Sequence, residues 1–109
     1  MTKKVVDFIN KCIYNKQISY EWDEKKRLSN IKKHGVDFKR AVSAIEDPLC
    51  YEIIQFVNGE ERVKCIGSVS NHDVFVVVYK MENENVKRII SSWPATKKER
   101  WAYENGYEV

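Results

Sequence analysis

Apolar and polar residues alternate along this chain in a way that separates a helical first part from a strand-rich second part. Val5, Phe8, Ile9, Cys12 and Ile13 recur at three- and four-residue spacing, the repeat of one apolar helix face, and the pattern stops near Asn15. Gln17 to Trp22 then alternates, with Ile18, Tyr20 and Trp22 on one side and Ser19 and Glu21 on the other, which predicts a short half-buried strand. Asp23 is placed to cap a helix with Glu24 in its first turn and Lys32, Lys33 and His34 in its last, each charge opposing the helix dipole. Gly35 ends that helix, because glycine takes the left-handed conformation without a side-chain clash. Asp37 caps a second helix, Phe38 to Ile45, whose apolar face is Phe38, Ala41, Val42 and Ile45, and Asp47-Pro48 stops it.

From there the period becomes two. Leu49 to Val57 and Glu61 to Val69 flank Asn58-Gly59, a tight-turn dipeptide, and so predict a hairpin. In its second strand Val63, Cys65, Gly67 and Val69 face one way and Arg62, Lys64, Ile66 and Ser68 the other. Residues 70–73 form a loop in which His72 is an exposed turn residue. Val74 to Lys80 is almost continuously apolar, as a central strand covered on both faces would be. Val86 to Ser92 is the last strand, and Thr96 with Glu99 matches a capping box opening a helix that carries Trp101, Ala102 and Tyr103. Helices followed by strands predict an α+β fold, a small four-strand antiparallel meander with helices packed on one face.

Length and composition narrow this to one domain. The chain has 109 residues, 43% of them hydrophobic and 12% aromatic, enough to build one core and too few for two. No run approaches the ~18 to 20 apolar residues that span a bilayer, and Asp7, Asn10 and Lys11 interrupt any secretory core, so the chain reads as soluble, unprocessed and cytoplasmic, without a membrane partner. Cys12, Cys50 and Cys65 lie far apart in sequence and at no ligand spacing; a disulfide framework or metal site is a poor reading, and free buried thiols in a reducing compartment a better one.

The net charge of +3 conceals a division. Residues 1–40 hold 11 basic and 5 acidic side chains, whereas residues 41–109 hold 8 and 11. Lys25, Lys26, Arg27, Lys32, Lys33, Lys39 and Arg40 face the single Asp37 between positions 25 and 40, a density able to neutralise phosphates or simply to solvate two helices. Glycine-rich phosphate loops and paired histidines at helical spacing are both missing from the sequence. The more informative cations lie on strands: Arg62 and Lys64 share a face, and Arg88 interrupts Val86, Ile89 and Ile90, where a guanidinium needs an anionic partner, either a glutamate across the sheet or a bound anion. Glu61 points away from Arg62 in regular strand geometry.

Tyr20-Glu21-Trp22-Asp23, Asn30, Lys33-His34-Gly35-Val36-Asp37-Phe38, Asp47-Pro48, Glu60-Glu61-Arg62, Ile66-Gly67, Val77-Val78-Tyr79, Arg88-Ile89-Ile90-Ser91, Ala95-Thr96, Glu99-Arg100 and Tyr103 occur in an order and spacing that resembles the BrnT family of type II toxins. The resemblance runs from about Tyr20 to Glu104. It implies a RelE-like fold over residues 18–105 preceded by an amphipathic helical extension over residues 1–17, and a ribonuclease needing no metal or other cofactor. It further implies neutralisation by a BrnA-like antitoxin, through which DNA would be met only indirectly. In such an enzyme the ribose 2′-hydroxyl attacks the adjacent phosphate. The matching positions imply catalytic roles for Lys33, His34, Glu61, Arg62 and Arg88: Arg62 and Arg88 on the phosphate, Glu61 or His34 as proton acceptor, and Lys33 assisting the charge. Lys25, Lys32, Lys64, Trp93 and Lys97 are the candidate RNA contacts. One position departs from the family pattern Ile-Ser-Ala-Arg, since Trp93 stands where that arginine would be. This implies a second reading, a catalytically weakened or inactive homologue that binds antitoxin and takes part in operon autoregulation. A plain RNA-binding domain is the third.

Overall fold

The computed structural model describes residues 17–70 and 72–106, so the expected helix at Val5 to Ile13 lies outside the described residues. Eight elements follow in order: β1 (Ser19–Glu21), α1 (Glu24–His34), α2 (Phe38–Ile45), β2 (Tyr51–Val57), β3 (Glu60–Ser70), β4 (Asp73–Asn83), β5 (Val86–Pro94) and α3 (Lys97–Asn105).

The caps act as the residue types dictate. Asp23 accepts hydrogen bonds from the amides of Lys25 and Lys26, and Gly35 closes α1 in the left-handed region at φ 73°. Asp37 caps α2, and Thr96 and Glu99 form the reciprocal capping box of α3. Arg27 bridges Glu24 and Asp37, at 2.5 and 3.0 Å, and so ties the starts of α1 and α2 together.

The sheet has five strands in the order β1-β5-β4-β3-β2. The pairs β2–β3, β3–β4 and β4–β5 are antiparallel, whereas β1 adds to β5 in parallel, Glu21 opposite Arg88. The expectation of a purely antiparallel four-strand sheet is therefore corrected to a five-strand mixed one. A parallel neighbour needs a long crossover, here everything from α1 to β4, and no local pattern announces it.

Both faces of the sheet are covered, which corrects the expectation of helices on one face only. On the first, Phe38, Ala41, Val42, Ala44 and Ile45 of α2 pack on Cys65, Phe75, Val77, Tyr79 and Ile89. Burying each large side chain here contributes about 1.5–3 kcal/mol. Gly67 is required at this contact, because a Cβ there would overlap the Ala44 carbonyl. On the second face Ile66, Val74 and Val76 meet Tyr51, Trp93, Ala95 and Tyr103, the last from α3. Helix α3 is stapled by two carboxylates: Tyr103 and the Ser68 amide donate to Asp47, and Trp93 and Lys64 reach Glu99. No helix among the described residues is long and apolar enough to cross a membrane.

Candidate active site

The α3 face of the sheet carries the strand cations. Glu60 uses one carboxylate oxygen for Arg62, at 2.9 Å, and the other for Lys80, at 3.0 Å, so all three share that face. Lys80 stands opposite Arg88 in the β4–β5 register, and Arg88 pairs with Glu21 of β1 at 2.7 Å. Arg62, Lys80 and Arg88 thus form a transverse row across three strands, each ~4.8 Å from the next in backbone spacing. Their side chains are 29, 30 and 35% exposed, since α3 covers only the other end of this face.

Neighbouring carboxylates hold Lys80 and Arg88 of the row in their charged forms. Hydrogen bonds from Lys80 and Arg62 keep the Glu60 carboxyl below its usual range, and Glu60 with Glu82 raises the Lys80 ammonium. Glu21 raises the Arg88 guanidinium in the same way. A guanidinium has five N–H donors, and Glu21 engages Nη1 of Arg88, so a phosphate can be gripped without breaking the pair.

A second group lies further along β5. The rings of His34, in the last turn of α1, and Trp93 sit 6.3 Å apart between centroids. Trp93 donates Nε1–H to Glu99, which also pairs with Lys64 at 2.9 Å. Burial pushes the Glu99 carboxyl up, but the Thr96 amide, Lys64 and Trp93 outweigh that and hold it below its usual range. Asn30 fixes α1 to β5 here: its amide nitrogen donates to the Val36 and Ser92 carbonyls, at 2.9 and 2.8 Å, and its oxygen accepts from the Ser92 amide. Trp93 pairs with Val76 and Arg88 with Lys80, four residues along β4, so the two groups are separated by about 13 Å of strand.

The sequence pattern of the family described as "Ribonuclease toxin, BrnT, of type II toxin-antitoxin system" matches residues 22–99, most of the chain. The chain belongs to the BrnT family. Its fold is similar to the crystal structure of the Brucella abortus ribonuclease toxin BrnT, with a TM-score of 0.53 and 25% identity, covering 73% of this chain and 99% of that one. None of the curated proteins matches the chain. Family membership implies an antitoxin partner and an RNA substrate.

In this BrnT chain, Arg62, Lys64, Arg88 and Trp93 share one face, and His34 meets that face beside Trp93. Glu61 is not brought to them: unbroken β2–β3 pairing sets Phe56 opposite Glu61 and Gln55 opposite Arg62, which sends the two side chains to opposite faces. Lys25, Lys32, Lys33 and Lys97 are exposed on helices, and Lys64 is held in its pair with Glu99 at 17% side-chain exposure. The anion for Arg88 is the glutamate across the sheet, Glu21. Lys80, Glu60, Glu21 and Glu99 were not among the expected site residues. Lys80 closes an apolar run in sequence, and only the Arg88 register shows it as part of the row.

Proposed function

We propose that this chain is an endoribonuclease that cleaves RNA by attack of the ribose 2′-oxygen on the adjacent phosphate, and that a BrnA-like antitoxin neutralises it in the cytoplasm. We read the fold as RelE-like on the same grounds. The P–O bond to the 2′-oxygen forms as the bond to the 5′-oxygen breaks, leaving a 2′,3′-cyclic phosphate and a 5′-hydroxyl. The observation that carries this reading is the row of Arg62, Lys80 and Arg88, three cations from adjacent strands on one face of the sheet, with a histidine and an indole about 13 Å further along β5. Arg62 and Arg88 stabilise the extra negative charge on phosphorus, the task to which planar bidentate donors are suited. Water at the row takes the 2′-hydroxyl proton and gives one to the leaving oxygen, while His34, about 13 Å along β5, and its neighbour Lys33 contact the flanking nucleotide. Trp93 stacks on a base, and the RNA runs along β5 so that a dinucleotide spans the distance from Trp93 to the row.

A second reading has its own support. Arg62, Lys80, Arg88 and Lys64 are each matched by a carboxylate, from Glu60, Glu82, Glu21 and Glu99, and Trp93 supplies no charge. A homologue retained for antitoxin binding and operon autoregulation would tolerate that balance. Induced expression separates the two readings: growth arrest that is abolished in Arg62→Ala/Arg88→Ala and relieved by the neighbouring gene's product supports the ribonuclease, and absence of arrest and of RNA cleavage supports the homologue.

A further inference from the structure

Cys50 and Cys65 are 15 residues apart in sequence, but the β2–β3 hairpin brings them together. Glu52 is directly opposite Cys65, and Cys50 lies two residues before Glu52 on the same side of the chain. Both sulfurs and a Glu52 carboxylate oxygen lie within 4.8 Å of one another. This cluster sits on the α2 face, the opposite side of the sheet from the Arg62–Lys80–Arg88 row.

We propose that Cys50, Glu52 and Cys65 form a binding site for a divalent cation of the zinc class. Two sulfurs and one carboxylate oxygen are a donor set suited to a borderline-soft ion, and oxygen-seeking ions such as magnesium do not favour it. In a tetrahedral site with Zn–S bonds of ~2.3 Å the ligand atoms stand about 3.8 Å apart, so small side-chain movements close the set around an ion. In the free protein both thiols donate to carbonyls at the end of α2, Cys50 to Ile45 at 3.8 Å and Cys65 to Ala44 at 3.6 Å, and these are the protons that metal binding releases.

The surroundings supply the outer contacts. Tyr79 donates its hydroxyl to Glu52 Oε2 at 2.9 Å, which orients the carboxylate and leaves Oε1 for the ion. Lys87, 4.9 Å above the Tyr79 ring, offsets the surplus negative charge that two thiolates and a carboxylate leave around a dication. Cys65 is fully buried, Cys50 half-buried and Glu52 exposed, giving the ion an entry path from solvent and one open position for water.

The test is a Co2+ titration of the reduced, metal-stripped full chain, read by the cobalt–thiolate charge-transfer band. The band is expected to saturate at one ion per chain and to be displaced by Zn2+. Cys12→Ser should leave it unchanged and Cys50→Ser should remove it, while exposed Glu52→Gln, which spares the fold, should raise the half-saturating concentration about tenfold or more. Absence of a thiolate band in the wild type, or an undiminished band in Cys50→Ser, overturns the site; an unchanged affinity in Glu52→Gln overturns the three-ligand assignment.

Discussion

Asn30 is the side chain whose loss should tell most about how the site is held. It is 6% exposed, and its amide makes three hydrogen bonds that join α1, the link to α2, and β5. Asn30→Ala leaves the Val36 and Ser92 carbonyls and the Ser92 amide without those partners. At about 1 kcal/mol net per bond the loss is ~3 kcal/mol. With an unfolding entropy of about 2.1 cal/mol/K per residue, the 109-residue chain has roughly 0.23 kcal/mol/K, and the melting temperature should fall by about 13 °C. Thermal unfolding followed by circular dichroism measures this. Asn30→Asp keeps the acceptor for Ser92 but sets carboxylate oxygen against two carbonyls, so it should be at least as damaging. A shift below about 4 °C in Asn30→Ala, ~1 kcal/mol, would mean that Asn30 does not tie α1 to β5.

Three further outcomes follow from named contacts. Gly67→Ala should destabilise by about 3 kcal/mol or more, seen as a lower urea midpoint, because its Cβ would overlap the Ala44 carbonyl across the α2–β3 contact. Burial raises the Asp47 carboxyl, but donors from Tyr103, Ser68 and Leu49 prevail and hold it below its usual range. The folded state then binds fewer protons than the unfolded one, so Asp47 stabilises above the ordinary carboxylate pKa of ~3.9 and loses that contribution as pH falls through its lower folded value. Asp47→Asn should therefore be destabilised at neutral pH and approach the wild type in acid; a pH-independent difference in urea midpoints contradicts this. Lys80→Ala should reduce the salt dependence of single-stranded RNA binding by about 0.7 in the slope of log K against log salt, as loss of one phosphate contact requires.

Much of the local structure was legible because it depends on neighbours in sequence. Asp23, Gly35, Asp37 and the Thr96–Glu99 box mark helix ends, and Asn58-Gly59 marks the hairpin. The β3 alternation that separates Cys65 and Gly67 from Arg62 and Lys64 also holds. What depends on long-range register was not legible. Strand β1 reads as a strand, but its parallel place beside β5 is decided by a crossover that no local signal encodes. The capping box fixes where α3 begins, yet not which face of the sheet it covers. A register shift between Val78 and Tyr79 puts both Arg88 and Trp93 on the α3 face, although strict alternation from Arg88 to Trp93 would part them. The candidate site is similar: Arg62 and Arg88 were visible as costly strand cations, but Lys80 joined them only through its pairing with Arg88. Cys50 and Cys65, unrelated by spacing, became neighbours across the hairpin.

The Arg62–Lys80–Arg88 row is proposed to cleave RNA. Incubation of the purified chain with single-stranded RNA, with the product ends mapped, tests it most directly. The expected products carry 2′,3′-cyclic phosphate and 5′-hydroxyl ends, and the rate should fall ~10²-fold or more for each of Arg62→Ala and Arg88→Ala with the fold retained. Full cleavage rate in both variants would contradict it.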